Sequence, residues 1–186
     1  MKQSSIHASA LVEPGAKIGI GCEIGPFCHI GPDVTLGNGV KLKSHVVVTG
    51  LTEIGEDTVV FPFSVLGEIP QDLKFKGEIT RLKIGARNRI REHVTMNTGT
   101  EGGGGVTTIG DDCLFMAGCH VAHDVNVANR VIIVNSVALG GHCILDDDVI
   151  VGGLSGVHQF VRIGEGAFIG ALSMVTKDVI PFGMVY

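Results

Sequence analysis

Large aromatic side chains are scarce in this chain: it has no Trp, one Tyr and eight Phe in 186 residues. A compact globule of this size would normally fill its core with more rings, so a thick two-layer core is not the expected architecture. Long apolar runs are missing too. Gly, Asp or Asn interrupts each within a few residues, well short of the ~18 needed to cross a bilayer. The N-terminus, Met1 to Ser5, has no apolar stretch of the kind that leads a secreted protein. The cysteines number five, an odd count at irregular spacing, and do not read as a disulfide framework. Together these features predict a cytoplasmic protein with no membrane span. A net charge of −5 argues against general nucleic-acid binding.

What the chain has in excess is glycine. Its 28 glycines among 186 residues are roughly twice the usual ~7% share. Gly, Val and Ile with few aromatics suit a thin core filled by one small side chain repeated many times. Basic residues are also unevenly spread. Lys74, Lys76, Arg81, Lys83, Arg87, Arg89 and Arg91, half of the fourteen, fall within eighteen positions. Such a run reads either as a solvated loop or as a patch that steers an acidic or phosphorylated partner.

The decisive pattern is a period of six. Stepping by six from Ile6 gives Val12, Ile18, Ile24, Ile30, Leu36, Leu42, Val48, Ile54, Val60 and Leu66. A second series runs from Ile109 through Phe115, Val121, Val127, Ile133, Leu139, Leu145, Val151, Val157, Ile163 and Ile169 to Val175. A chain that is 45% hydrophobic does not produce two unbroken series of this length by chance. The residue after the aliphatic slot is often Gly. The slot four positions on is small or β-branched, and all five cysteines (Cys22, Cys28, Cys113, Cys119, Cys143) occupy it. They are therefore expected to be buried core thiols rather than metal ligands.

A six-residue repeat is too short for a helix pair and suits the coil of a parallel β-helix. Each six-mer supplies a short strand and a corner, so three of them close a triangular turn of eighteen residues. The expected fold is all-β, a single β-helix domain over residues 1–186. Two interruptions break it: an excursion over 67–83, where Asp72 and Glu78 occupy aliphatic slots, and a Gly-rich loop over 97–108. Loops ejected from a rigid scaffold tend to carry function.

Eighteen-residue stacking also gathers histidines. It places His123 beneath Gly141 and Gly141 beneath Gln159, with His142 and His158 beside that column and His120 at the preceding corner. His7, His29, His45 and His93 fall elsewhere and read as solvated or structural. An imidazole near its ordinary pKa can take a proton from a hydroxyl at neutral pH. Asp124 can assist His123 only if the pair lies at a corner, because adjacent strand residues face opposite ways. Gly141 reads either as an oxyanion donor, open to approach for want of a side chain, or as a glycine demanded by a tight corner.

The stretches Ile24 to Cys28, Leu42 to Val48, Gly67 to Lys74, Arg87 to Glu92, His120 to Asp124 and Val157 to Phe160 resemble the UDP-N-acetylglucosamine O-acyltransferases that begin lipid A synthesis. The resemblance covers Ile6 to about Phe182, and its most specific parts are Gln71-Asp72-Leu73-Lys74 and His120-x-x-His123-Asp124. It implies a left-handed β-helix and a homotrimer with sites between subunits. It also implies transfer of an (R)-3-hydroxyacyl group from acyl carrier protein to the glucosamine 3-hydroxyl of UDP-GlcNAc, with no cofactor and no metal. Carried onto this chain, His123 is the general base, Asp124 its partner and the Gly141 amide the oxyanion donor. Gln71, Asp72, Lys74, His120, His142, His158 and Gln159 contact substrate, and Ala171 matches the position that limits acyl length. The chain departs from the family pattern in two ways. Asn97 replaces a His, and the family's helical C-terminal domain, which would follow the β-helix, is expected to be absent. Two other readings are a silent scaffold and a zinc-dependent hydrolase of the carbonic-anhydrase type, with His120, His123 and His142 as ligands.

Overall fold

The computed structural model describes residues 3–186. Strands of mostly two residues form three parallel sheets, and each successive strand through Met174–Val175 moves on to the next sheet. Face one runs from Ser5–Ile6 to Met184–Val185, face two from Leu11–Val12 to Met174–Val175, and face three from Lys17–Ile18 to Arg162–Ile163. Pairing holds the eighteen-residue register: His120 lies beside Ala138, Ala138 beside Gly156 and Gly156 beside Met174. Backbone bonds of 2.7–3.2 Å tie coil to coil, such as the Gly140 N–H to the Val157 carbonyl at 2.9 Å. The strands thus hydrogen-bond between coils rather than within one.

The aliphatic slots point inward and are almost fully buried, from Ile24 through Val175. Only the first coil, with one neighbour, leaves its slot open: Ile6 is 49% exposed. The five cysteines are free and buried beside the aliphatic column. Their sulfurs sit against corner carbonyls, as Cys143 Sγ does against His158 O at 3.1 Å. Burial pushes the Cys113, Cys119 and Cys143 thiols up to about 11.

The corners are where the backbone is strained. Among the described residues, sixteen that are not glycine have positive φ, including Asp124 at 59°, His142 at 63° and Phe160 at 67°. Left-handed backbone costs an L-residue roughly 1–2 kcal/mol, and here the parallel ladder holds it in place. The glycine that follows many aliphatic slots serves a different purpose. A Cβ at Gly110 or Gly152 would come within 2.6 or 2.5 Å of the next coil's backbone, so glycine is required by close approach.

Three expectations need adjustment. The excursion is shorter than 67–83: strands Val65–Glu68 and Arg81–Ile84 extend into that range, leaving 69–80 outside the prism. Leu82 points inward with no exposure, a slot the six-residue count skips. Likewise strands Thr95–Asn97 and Val106–Ile109 reduce the Gly-rich loop to 98–105, with one 3₁₀ turn at Glu101–Gly103. The longer strands arise because Arg81 to Ile84 pairs residue by residue with both Leu51 to Ile54 and Val106 to Ile109. The basic run, finally, is not a single patch. Lys74 and Lys76 ride the excursion, Arg81 and Lys83 lie in a strand of face three, and Arg89 lies on face one. Arg87 is clamped by Asp111 and Asp112, and Arg91 pairs with Glu92 and stacks on Phe61.

The thiolate is the reactive species, so native protein should resist a thiol reagent such as Ellman's at neutral pH. All five cysteines should react once the chain is denatured. Fast native labelling of any of the five would contradict the inward placement of that slot.

Candidate active site

Face two carries two outward columns. One is His120, Ala138, Gly156 and Met174; the other is Asn97, Ala122, Gly140 and His158. Small residues in the middle of both columns hollow the face into a groove of about 830 Å³, within the size range of small-molecule sites. One wall is the corner after face two, and the excursion supplies Gln71, Asp72 and Lys74. His120, His123, Gly141, His142, His158 and Gln159 line the same groove, so nine of the eleven expected residues converge.

The other two stand apart for different reasons. Asp124 lies behind His123 rather than in the groove. Ala171 is exposed at the corner between faces one and two, across face two from His123, and does not line the groove. His120 also departs from expectation. It opens the strand His120–Val121 instead of sitting at a corner, because the second residue of that strand is the buried Val121.

The His123–Asp124 pair is set by the left-handed turn at Asp124, which lets neighbouring side chains face each other. His123 Nδ1 lies 2.9 Å from Asp124 Oδ2, with both residues buried. Asp124 is otherwise well supplied with donors. The Thr100 amide reaches its two oxygens at 2.9 and 3.1 Å, and the Thr100 hydroxyl donates to Oδ2 at 2.6 Å. The Asp124 N–H donates to Thr107 Oγ1 at 2.8 Å. A carboxylate that accepts at Oδ2 fixes the proton on His123 Nδ1 and leaves Nε2 as the basic atom.

Nε2 faces Gly141. A Cβ at that position would sit 2.6 Å from His123 Cε1 and 2.7 Å from Nε2. Gly141 has no positive φ, so the corner does not demand glycine there; the ring beneath it does. Among the described residues none accepts a hydrogen bond from the Gly141 N–H, while its carbonyl is taken by the Phe160 amide at 3.0 Å. His142 meets the His123 ring edge-on at 5.0 Å and stacks on Phe160 at 4.4 Å. His120 Nδ1 pairs with the Thr95 hydroxyl at 2.8 Å. Burial, and then repulsion from His123, hold His120 below the usual imidazole range, which keeps it neutral at pH 7.

The zinc reading grouped His120, His123 and His142. The donors that actually cluster are those of His123, Asp124 and His142, within 4.8 Å of one another. In that set Asp124 is already engaged by Thr100 and His123, and His120, outside the set, pairs with Thr95. Thr100 and Thr107 carry no expectation from the sequence, and Asn97 enters there only as a departure from the family pattern. Thr100 stands 24 residues before Asp124, across the Gly-rich loop, so eighteen-residue stacking does not bring the two together. A hint lay in the glycines: a Cβ at Gly103 would fall 2.1 Å from the Asp124 carboxyl carbon, and one at Gly99 2.7 Å from Oδ1.

A family model for bacterial transferase hexapeptide (six repeats) matches residues 15–50. The acyl-[acyl-carrier-protein]–UDP-N-acetylglucosamine O-acyltransferase of Rhizobium johnstonii is 54% identical over 184 residues, covering 99% of this chain and 68% of that protein. The chain belongs to the UDP-N-acetylglucosamine O-acyltransferase family. The protein of the same name from Paracoccus denitrificans is 77% identical over 127 residues, which is 68% of this chain and 49% of that one. The chain therefore matches about half to two thirds of the length of these curated relatives. Among solved structures, LpxA from Acinetobacter baumannii superposes with a TM-score of 0.96 at 47% identity, covering 96% of this chain and 69% of that one. The UDP-N-acetylglucosamine acyltransferase from Campylobacter jejuni gives 0.93 at 39% identity, covering 97% and 70%. The fold is accordingly the left-handed parallel β-helix of these acyltransferases, and membership in the family favours neither the scaffold nor the zinc reading.

Two substitutions test the geometry. Gly141→Ala should cost about 10²-fold in turnover by displacing the His123 ring, with the circular dichroism of the β-helix unchanged. Thr100→Val removes a charge-assisted bond to a buried carboxylate and should lower unfolding free energy by roughly 1.5–3 kcal/mol, measured by urea titration.

Proposed function

We propose that this chain transfers an (R)-3-hydroxyacyl group from the thioester of acyl carrier protein to the glucosamine 3-hydroxyl of UDP-GlcNAc, the first step of lipid A synthesis. The observation that carries this reading is the base dyad: Nδ1 of His123 is tied to buried Asp124, and Nε2 points at Gly141 on the groove wall.

In the reaction His123 Nε2 takes the proton of the sugar hydroxyl as its oxygen attacks the thioester carbonyl. Negative charge gathers on the carbonyl oxygen, where the Gly141 N–H is the donor; one such donor is typically worth ~3 kcal/mol of barrier. Asp124 stabilises the imidazolium that forms. Collapse of the intermediate breaks the carbon–sulfur bond, and the imidazolium returns its proton to the departing thiolate. Neutral His120, together with His142, His158 and Gln159, offers hydrogen-bonding groups to the sugar nucleotide. Gln71, Asp72 and Lys74 approach from the excursion, Lys74 bringing a positive charge suited to phosphate. Ala171, outside this chain's own groove, bears on acyl length only if the acyl chain leaves the groove across face two.

Assembly as a homotrimer is supported by the outward column of face one. Leu114, Ile132, Ile150, Phe168 and Met184 form a stacked apolar row, whereas the matching column of face three, Lys83, Thr108, Asn126, Ile144 and Arg162, has a single apolar member. A parallel sheet is ordinarily covered on both sides, and further copies of the chain would cover this one. A cytoplasmic location is supported by five unpaired thiols. No helix among the described residues is long and apolar enough to cross a membrane.

The test is acyl transfer from 3-hydroxyacyl carrier protein to UDP-GlcNAc by this chain and by its His123→Ala variant. The variant should lose about 10²- to 10⁴-fold, the share of a general base, while remaining folded. Equal rates in the two proteins would remove His123 from the chemistry.

A further inference from the structure

The excursion brings three substrate-facing residues to the groove, yet little holds it there. Among the described residues, the hydrogen bonds made between positions 70 and 79 are internal: Phe75 N–H to Asp72 O, Lys74 N–H to Asp72 Oδ1, and Lys76 N–H to Glu78 Oε2. Leu73 and Ile79 are almost wholly exposed, so they contribute no core packing. A segment like this takes its position from its two roots.

Both roots are fastened to the same short segment. At the exit, Asn97 Nδ2 donates to Ile69 O at 3.0 Å and to Glu68 O at 3.3 Å, and the Thr98 N–H donates to Glu68 O at 3.1 Å. At the return, the buried Thr80 hydroxyl donates to Thr98 Oγ1 at 2.9 Å, and the Gly99 N–H reaches Arg81 O at 3.2 Å. The next residue, Thr100, holds Asp124. The Asn97 amide oxygen is buried without a partner, which costs free energy; the residue's contribution lies in its donors.

We propose that residues 97–100 form a latch that fixes the substrate-bearing excursion against the base dyad, with Asn97 as the positioning residue of its exit root. This rests on the acyl-transfer reading for what the excursion does, but the latch itself can be tested without turnover. Asn97→Asp keeps the size of the side chain and removes both donated bonds. Trypsin cleavage of the folded protein after Lys74 or Lys76 should then accelerate by about tenfold or more, since local opening governs cleavage. The coils should stay intact. In the transfer assay KM for UDP-GlcNAc should rise by a similar factor while kcat changes little.

Unchanged cleavage at the excursion would overturn the latch. So would a loss confined to kcat with the excursion still protected, because Asn97 would then act on the reacting groups. Absence of transfer by the unmodified chain would sink the functional reading alone, leaving cleavage to decide the latch. If Asn97→Asp opened the coils as well, Thr80→Val would carry the test at the return root, with the same acceleration expected and an unchanged rate overturning the proposal.

Discussion

Everything in this molecule hangs on one repeated interaction, the parallel hydrogen bonds that join each coil to the next. A two-residue strand has almost no stability alone. It persists because its amides bond to the coil on one side and its carbonyls to the coil on the other, at the ~4.8 Å spacing of parallel strands. That ladder imposes the eighteen-residue register, and the register decides which side chains stack. The core therefore needs only one aliphatic residue and one small partner per six, which explains why a chain so poor in aromatics can fold.

The same regularity makes the site possible. A rigid prism with columns of Ala and Gly gives a shallow, fixed hollow, and a corner in left-handed backbone turns Asp124 toward His123. Strain and burial at that corner are offset by neighbours that the prism also fixes. Thr100 supplies two donors to a carboxylate that would otherwise be costly to bury. Gly141 shows the reverse economy, since the absence of a Cβ makes room for the imidazole one coil below.

The two interruptions are where the solenoid ceases to be one-dimensional. Each loop leaves the prism near face two, and residues 97–100 touch both the excursion's roots and Asp124. One short segment thus joins the excursion to the His123–Asp124 pair through backbone and short side chains. The basic residues show the opposite outcome. Adjacent in sequence, they are distributed by the corners over the excursion and two faces, where Arg87 and Arg91 serve coil-to-coil and local ion pairs instead of a common patch.

Period alone determined the architecture, the inward slots, the burial of the cysteines and the column His123–Gly141–Gln159. These follow from local spacing repeated many times, and the strand pairing simply copies that spacing. The motifs around Gln71 and His120 further named the family and most of the groove. Tertiary structure alone decided what lies across the broken register: Thr100 on Asp124, Asn97 at the excursion's root, the true loop bounds at 69–80 and 98–105, and Ala171 outside the groove. It also decided why Gly141 is glycine. A periodic rule predicts contacts only where the period holds, and at the loops the chain's path is set by side-chain donors meeting buried acceptors, which no spacing in the sequence encodes.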